Sequence, residues 1–74
     1  MLVMVFSERL LDLRKARGLT QQQVWEGVKL SPMGYRRYEW GTREPAYQKL
    51  LALADFFNVS IDYLVGRTDN PKVG

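Results

Sequence analysis

The chain has 74 residues and contains neither cysteine nor histidine. That composition excludes disulfide frameworks, zinc clusters built on those ligands and every catalytic arrangement that starts from a Cys or His. One small domain of this size has to be held by apolar packing, and 46% hydrophobic residues supply the material. The formal net charge of +3 and a pI of about 9.5 are compatible with a polyanionic partner without identifying one.

The apolar opening, residues 1–6, is far shorter than the roughly 20 apolar residues of a membrane span and has no signal-peptide cleavage pattern. It reads as an arm lying against the core or against a second subunit. Ser7 is a candidate N-cap, and Phe6, Leu10, Leu13 and Arg17 recur at helical spacing until Gly18. Thr20 with Gln23 forms a Thr-x-x-Gln capping box for a second helix, whose buried stripe is Val24 and Val28. Ser31 followed by Pro32 restarts the helix, because proline at the first helical position loses no hydrogen bond, and Gly41 stops it after about Glu39. Pro45 is expected to open a fourth helix with Tyr47, Leu50, Leu51, Ala54 and Phe57 at intervals of three and four. Asn58 suits a left-handed cap, and Ser60 starts a last short helix through Leu64 and Val65, closed by Gly66. Residues 67–74 show no periodicity and read as a loose tail. The whole is an all-α domain over residues 7–66, a compact bundle of five short helices, with no repeat and no linker.

Helices two and three are separated by Lys29, Leu30 and Ser31, too few residues for an antiparallel return, so they must cross steeply. A helix-turn-helix has this geometry, and so does an ordinary bundle corner. At 100° per residue, Tyr35, Tyr38 and Glu39 fall on one side of helix three, and Met33, Arg36, Arg37 and Trp40 on the other. That second face carries two arginines and no acid. Arginine bonds a guanine edge bidentately, and Met33 suits a thymine methyl. Trp40 either stacks in a contact patch or folds over the end of its helix.

The runs Glu8-Arg9-Leu10, Arg14 to Gln21, Arg37-Tyr38-Glu39, Gly41, Arg43-Glu44-Pro45, Leu50-Leu51, Leu53-Ala54 and Val59 to Leu64 resemble the Cro/C1-type (XRE) helix-turn-helix family in register. The resemblance covers residues 6–66 without a gap and implies a lambda-repressor-like fold, with residues 20–39 as the DNA-reading unit. It further implies that helix three (32–39) enters the major groove with Pro32, Met33, Arg36 and Arg37 at the bases. Thr20, Gln21, Ser31, Thr42 and Arg43 would meet the DNA backbone. A buried ion pair between Arg14 and Glu39 would tie helix one to helix three. Dimerisation in this family often uses the last helix, which makes Tyr63 and Val65 the candidates, while Ile61 and Leu64 read as bundle-closing residues.

Three positions depart from the family pattern: Trp25 where alanine is usual, Lys29 where the turn has glycine, and Tyr35 where Ile or Val is buried. Trp25 is expected to pack across Gly34 and beside Tyr35. Lys29 either takes positive φ, at about 1–2 kcal/mol, or the turn is remodelled. The expected function is a sequence-specific, repressor-like transcriptional regulator binding double-stranded DNA as a homodimer, of bacterial or phage origin and in the cytoplasm. No enzyme activity, cofactor, metal, membrane or small-molecule substrate is expected. The alternative is a protein-interaction module on the same fold, which the weak hydrogen-bonding capacity of Pro32, Met33 and Gly34 would suit.

Overall fold

Each helix of this chain ends where the sequence supplies a residue that enters the left-handed region. The computed structural model describes residues 3–73, which form α1 (Val3–Ala16), α2 (Gln21–Gly27), α3 (Pro32–Trp40), α4 (Tyr47–Phe57) and α5 (Ile61–Leu64), with no strand among them. Gly18, Lys29, Gly41, Asn58 and Gly66 have φ between 55 and 84°. The amide after each reaches back five residues: Leu19 to Arg14 O (3.1 Å), Leu30 to Trp25 O (2.8 Å), Thr42 to Arg37 O (3.1 Å), Val59 to Ala54 O (3.0 Å) and Arg67 to Asp62 O (2.8 Å). This is the Schellman closure, which satisfies carbonyls that a helix end would otherwise leave without partners.

The starts are equally local. Thr20 accepts from the Gln23 amide while the Gln23 side chain accepts from the Thr20 amide, the reciprocal box read from the sequence. Ser31 accepts from the Gly34 amide with Pro32 at the first position, and Ser60 accepts from the Tyr63 amide. α4 differs from its expectation. It starts at Tyr47 behind Ala46, which makes no side-chain cap bond, and Pro45 lies buried before the helix rather than in its first turn.

The predicted start of the first helix needs correction. α1 is already helical at Val3, and Ser7 sits inside it, buried, its hydroxyl donating to Met4 O at 2.9 Å. Phe6 explains the longer helix. Its ring is fully buried and meets Tyr38 of α3 edge to face at 5.9 Å, a placement that requires residue 6 to be in helical register with Leu10. Residues 3–6 are therefore helix rather than arm, and the expected boundary at residue 7 falls within α1; Met1 and Leu2 of that arm lie outside the described residues.

The core is assembled from Phe6 and Leu10 of α1, Val24 of α2, Tyr35 and Tyr38 of α3, Leu50, Leu53, Ala54 and Phe57 of α4, and Leu64 of α5. α4 buries positions three and four apart, whereas Tyr47 in its first turn stays exposed. α1 packs on α3 and α5, α2 on α3, and α4 on α5. A side chain at Gly27 would place its Cβ 2.4 Å from Phe56, so α2 and α4 meet there without room for one.

The tail also differs from its expectation. The Arg9 guanidinium donates to the carbonyls of Tyr63 (2.6 Å) and Thr68 and to the Asp69 carboxylate (2.7 Å), and the Ser60 amide donates to Pro71 O at 3.0 Å. One arginine on α1 thus gathers the segment after α5 back onto the bundle; Gly74 lies outside the described residues. No helix among the described residues is long and apolar enough to cross a membrane.

Candidate nucleic-acid interface

The α2–α3 pair is held from beneath by a single carboxylate. Glu39 lies on the inner side of α3 with only 4% of its side chain exposed, and Arg14 of α1 meets it through Nε at 2.6 Å and Nη2 at 3.2 Å. The third arginine donor, Nη1, goes to Leu19 O at 2.9 Å. Tyr35 donates its hydroxyl to Glu39 Oε2, and Gln21 donates its side-chain amide to Oε1 at 3.0 Å. Burial alone would push the Glu39 carboxyl up, but the hydrogen bonds from Arg14, Tyr35 and Gln21 outweigh it and hold it below the usual carboxylate range. The Arg14 pKa is raised chiefly by its hydrogen bond to Glu39. Burial first, and the hydrogen bond to Glu39 second, push the Tyr35 phenol well above its ordinary value. The ion pair implied by the resemblance is therefore present, within a larger junction of α1, α2 and α3.

Two of the three unusual residues, Tyr35 and Trp25, meet at this junction, and Lys29 lies in the turn between α2 and α3. Tyr35 is fully buried, and its hydroxyl finds the carboxylate that an Ile or Val could not use. Trp25 lies edge-on to Tyr35, ring centroids 6.5 Å apart. Lys29 takes the left-handed conformation, φ 58°, and keeps both turn hydrogen bonds. The expectation that Gly34 makes space for Trp25 is corrected. A Cβ at Gly34 would lie 2.7 Å from the Ser31 hydroxyl, so the cap and not the indole fills that space.

With Glu39 withdrawn, the outer face of α3 is left to cations and apolar groups. Ser31, Pro32, Met33 and Arg37 are exposed, Met33 at 46%. Arg36 is half-buried, its guanidinium 5.0 Å from the centre of the Trp25 ring. Thr20, Thr42 and Arg43 are exposed at the two ends of the unit; Thr20 is engaged as a cap, and the Thr42 hydroxyl donates to Arg37 O. Gln21 is half-buried with one amide hydrogen committed to Glu39, which leaves its second hydrogen for an outside acceptor. Trp40 is 57% exposed and Met4 is open as well, the Met4 sulfur lying 3.1 Å from where a Cβ at Gly41 would stand.

The dimerisation candidates lie elsewhere, on α5. Tyr63 is half-buried beneath the Arg9 guanidinium, 4.3 Å from the ring centre, and Val65 is half-buried against the core. Ile61 packs against the core as well, and Leu64 is completely enclosed by it. The sequence reading missed the Gln21 and Tyr35 contributions to the Glu39 site and the Arg36–Trp25 contact. Tyr35 carried the one available signal, a hydroxyl four residues before a buried acid on the same helix face.

Comparison with known proteins agrees with this geometry. A family model described as helix-turn-helix matches residues 10–64. The chain is 39% identical over 67 residues to the uncharacterized HTH-type transcriptional regulator YobD of Bacillus subtilis, covering 90% of this chain and 60% of that protein. It is also 39% identical over 64 residues to the cryptic phage CTXphi transcriptional repressor RstR of Vibrio cholerae, covering 86% of this chain and 57% of that protein. A crystal structure of a transcriptional regulator from Listeria innocua superposes with a TM-score of 0.76 at 38% identity, over 82% of this chain and 57% of that one. The chain thus spans about 60% of the length of such relatives. With a family match across most of its length and a core built around the α2–α3 junction, this chain belongs to the Cro/C1-type (XRE) helix-turn-helix family.

Proposed function

We propose that this chain binds double-stranded DNA as a sequence-reading, repressor-like transcriptional regulator, with α3 in the major groove. The observation that carries the proposal is the division of α3: its acid is buried and neutralised by Arg14, while Arg36, Arg37 and Met33 remain on the outer side. Arg36 and Arg37 supply base contacts with Pro32 and Met33 against the groove floor. Thr20, Gln21, Ser31, Thr42 and Arg43 meet the phosphates on either side. The helix-turn-helix family is a DNA-binding and non-enzymatic class, and no catalytic step is assigned to any residue. One unit covers a half-site, so a two-fold site bound by a dimer completes the reading, with Tyr63 and Val65 on α5 as the contact.

Because Pro32, Met33 and Gly34 offer little side-chain hydrogen bonding, phosphate contacts dominate affinity. Titration of fluorescent duplex DNA by anisotropy should show binding at low salt that weakens steeply over a fourfold rise in salt concentration. Affinity that barely changes over that range refutes the phosphate-dominated interface. The exposed Met33, Met4 and Trp40 favour a second reading, a protein-contact role on the same fold. Absence of binding to a random duplex pool at low salt selects that reading.

A further inference from the structure

The outer face of α3 carries two arginines in different surroundings. Arg37 is exposed, whereas Arg36 is half-buried and lies over Trp25 of the preceding helix. Trp25 is itself fixed, edge-on to the fully buried Tyr35 whose hydroxyl is anchored on Glu39. A guanidinium over an indole face is attracted by the ring quadrupole and loses rotamer freedom, yet its N–H groups remain at its rim. Arg36 makes no side-chain hydrogen bond to another protein group among the described residues, and no fully buried side-chain donor is left unsatisfied, so its N–H groups are reachable from solvent.

We infer that Trp25 is a positioning residue for base recognition: it holds the Arg36 guanidinium ready for bidentate donation to a guanine edge, making Arg36 the discriminating contact. Arg37 then contributes mainly charge. This rests on the DNA-reading role proposed above. An arginine that must be immobilised on binding loses part of its selectivity to side-chain entropy. One already stacked in the free protein does not. The chain departs from its family by an indole at position 25, and this gives that departure a function beyond filling space.

The test uses the site enriched by the unsubstituted chain from a random duplex pool, and copies of it with each guanine replaced in turn. Arg36→Ala should identify one guanine, with preference there falling about tenfold or more. Trp25→Leu should lower preference at that same guanine about three- to tenfold, while Trp25→Phe keeps most of it. Affinity for the random pool at low salt should change less than twofold in either Trp25 variant. Arg36→Lys keeps the positive charge without the planar fork and should lose the guanine preference. Circular dichroism and thermal unfolding establish that each variant is folded at the assay temperature, and Trp25→Phe remains the decisive arm where Trp25→Leu is unfolded.

Full guanine preference in folded Trp25→Leu overturns the inference, and so does loss of preference in Trp25→Phe equal to that in Arg36→Ala. Either result leaves the DNA-reading role standing. No binding of the unsubstituted chain to the random pool at low salt removes that role and this inference together. Binding without any base preference removes this inference together with the sequence-reading part of that role, and leaves DNA binding itself standing.

Discussion

Lys29 offers the sharpest test of how this helix-turn-helix is built. It occupies the left-handed position between α2 and α3 with φ 58°, where the other helix ends of the chain use Gly18, Gly41, Asn58 and Gly66. A side chain in that region costs about 1–2 kcal/mol. Glycine relieves the strain but returns about 0.4–1 kcal/mol through the greater freedom of the unfolded chain. At the midpoints of these ranges Lys29→Gly should therefore stabilise by about 0.8 kcal/mol, which for a domain of this size corresponds to an increase in Tm of roughly 3–6 °C. Lys29→Ala separates backbone from charge, because alanine carries the same Cβ penalty and removes only the exposed ammonium. Its Tm should stay within about 2 °C of the unsubstituted chain, as for most surface changes. Thermal unfolding followed by circular dichroism at several scan rates gives both values. A Tm for Lys29→Gly at or below that of the parent, or an equal gain from Lys29→Ala, refutes the assignment of strain to the Lys29 backbone.

The junction around Glu39 makes further predictions. Glu39→Ala leaves Arg14 without its carboxylate and the buried Tyr35 hydroxyl without its acceptor, so urea unfolding should show a loss of about 3–5 kcal/mol, toward the lower end because Arg14 keeps 15% of its side chain exposed. The depressed Glu39 pKa means that its contribution is present above the unfolded carboxylate value and is lost as pH falls through the folded one. The denaturation midpoint should therefore decline below about pH 4.5, and Glu39→Gln should flatten that decline. The raised Tyr35 pKa acts at the other end: its contribution is intact below the unfolded tyrosine value and is lost as pH rises above about 10. Tyr35→Phe should remove that alkaline loss, measured by unfolding between about pH 9 and 11.5. Gly27→Ala raises helix propensity but drives a Cβ to 2.4 Å from the Phe56 ring. That ring is packed on Phe57, so a net loss of about 1–2 kcal/mol should appear in urea unfolding.

What the sequence revealed and what it hid divide by distance along the chain. The Thr20–Gln23 box, the Ser31-Pro32 start and the stops at Gly18, Gly41, Asn58 and Gly66 are each set by a few neighbouring residues, and they stand where local chemistry places them. Ser7 misled for the same reason: it has the chemistry of a cap, but the tertiary demand to bury Phe6 against Tyr38 carries α1 through it. The docked tail was illegible because its partner is Arg9, about 60 residues earlier, and nothing near residues 67–73 signals that contact. The Arg36–Trp25 contact spans the turn between two helices and depends on their crossing, which residue spacing alone does not fix.

Two of the positions that depart from the family pattern, Trp25 and Tyr35, are better understood as one arrangement than as two tolerated exceptions. Tyr35 brings a hydroxyl into the core, a costly group to bury without a partner, and Glu39 accepts from it. Glu39 is available because Arg14 has already made its charge acceptable inside the fold. The ring of Tyr35 then gives Trp25 an edge to pack on, so the larger residue of α2 rests on the larger residue of α3. Lys29 stands apart from them: it adopts the turn conformation glycine would have taken, and both turn hydrogen bonds are kept. A lone Tyr35→Ile change would therefore strip Glu39 of a donor and Trp25 of its support, although isoleucine is the more ordinary choice for a buried helix position. Family-typical residues at positions 25 and 35 are interchangeable only as a pair, because Trp25 rests on the ring that Tyr35 supplies.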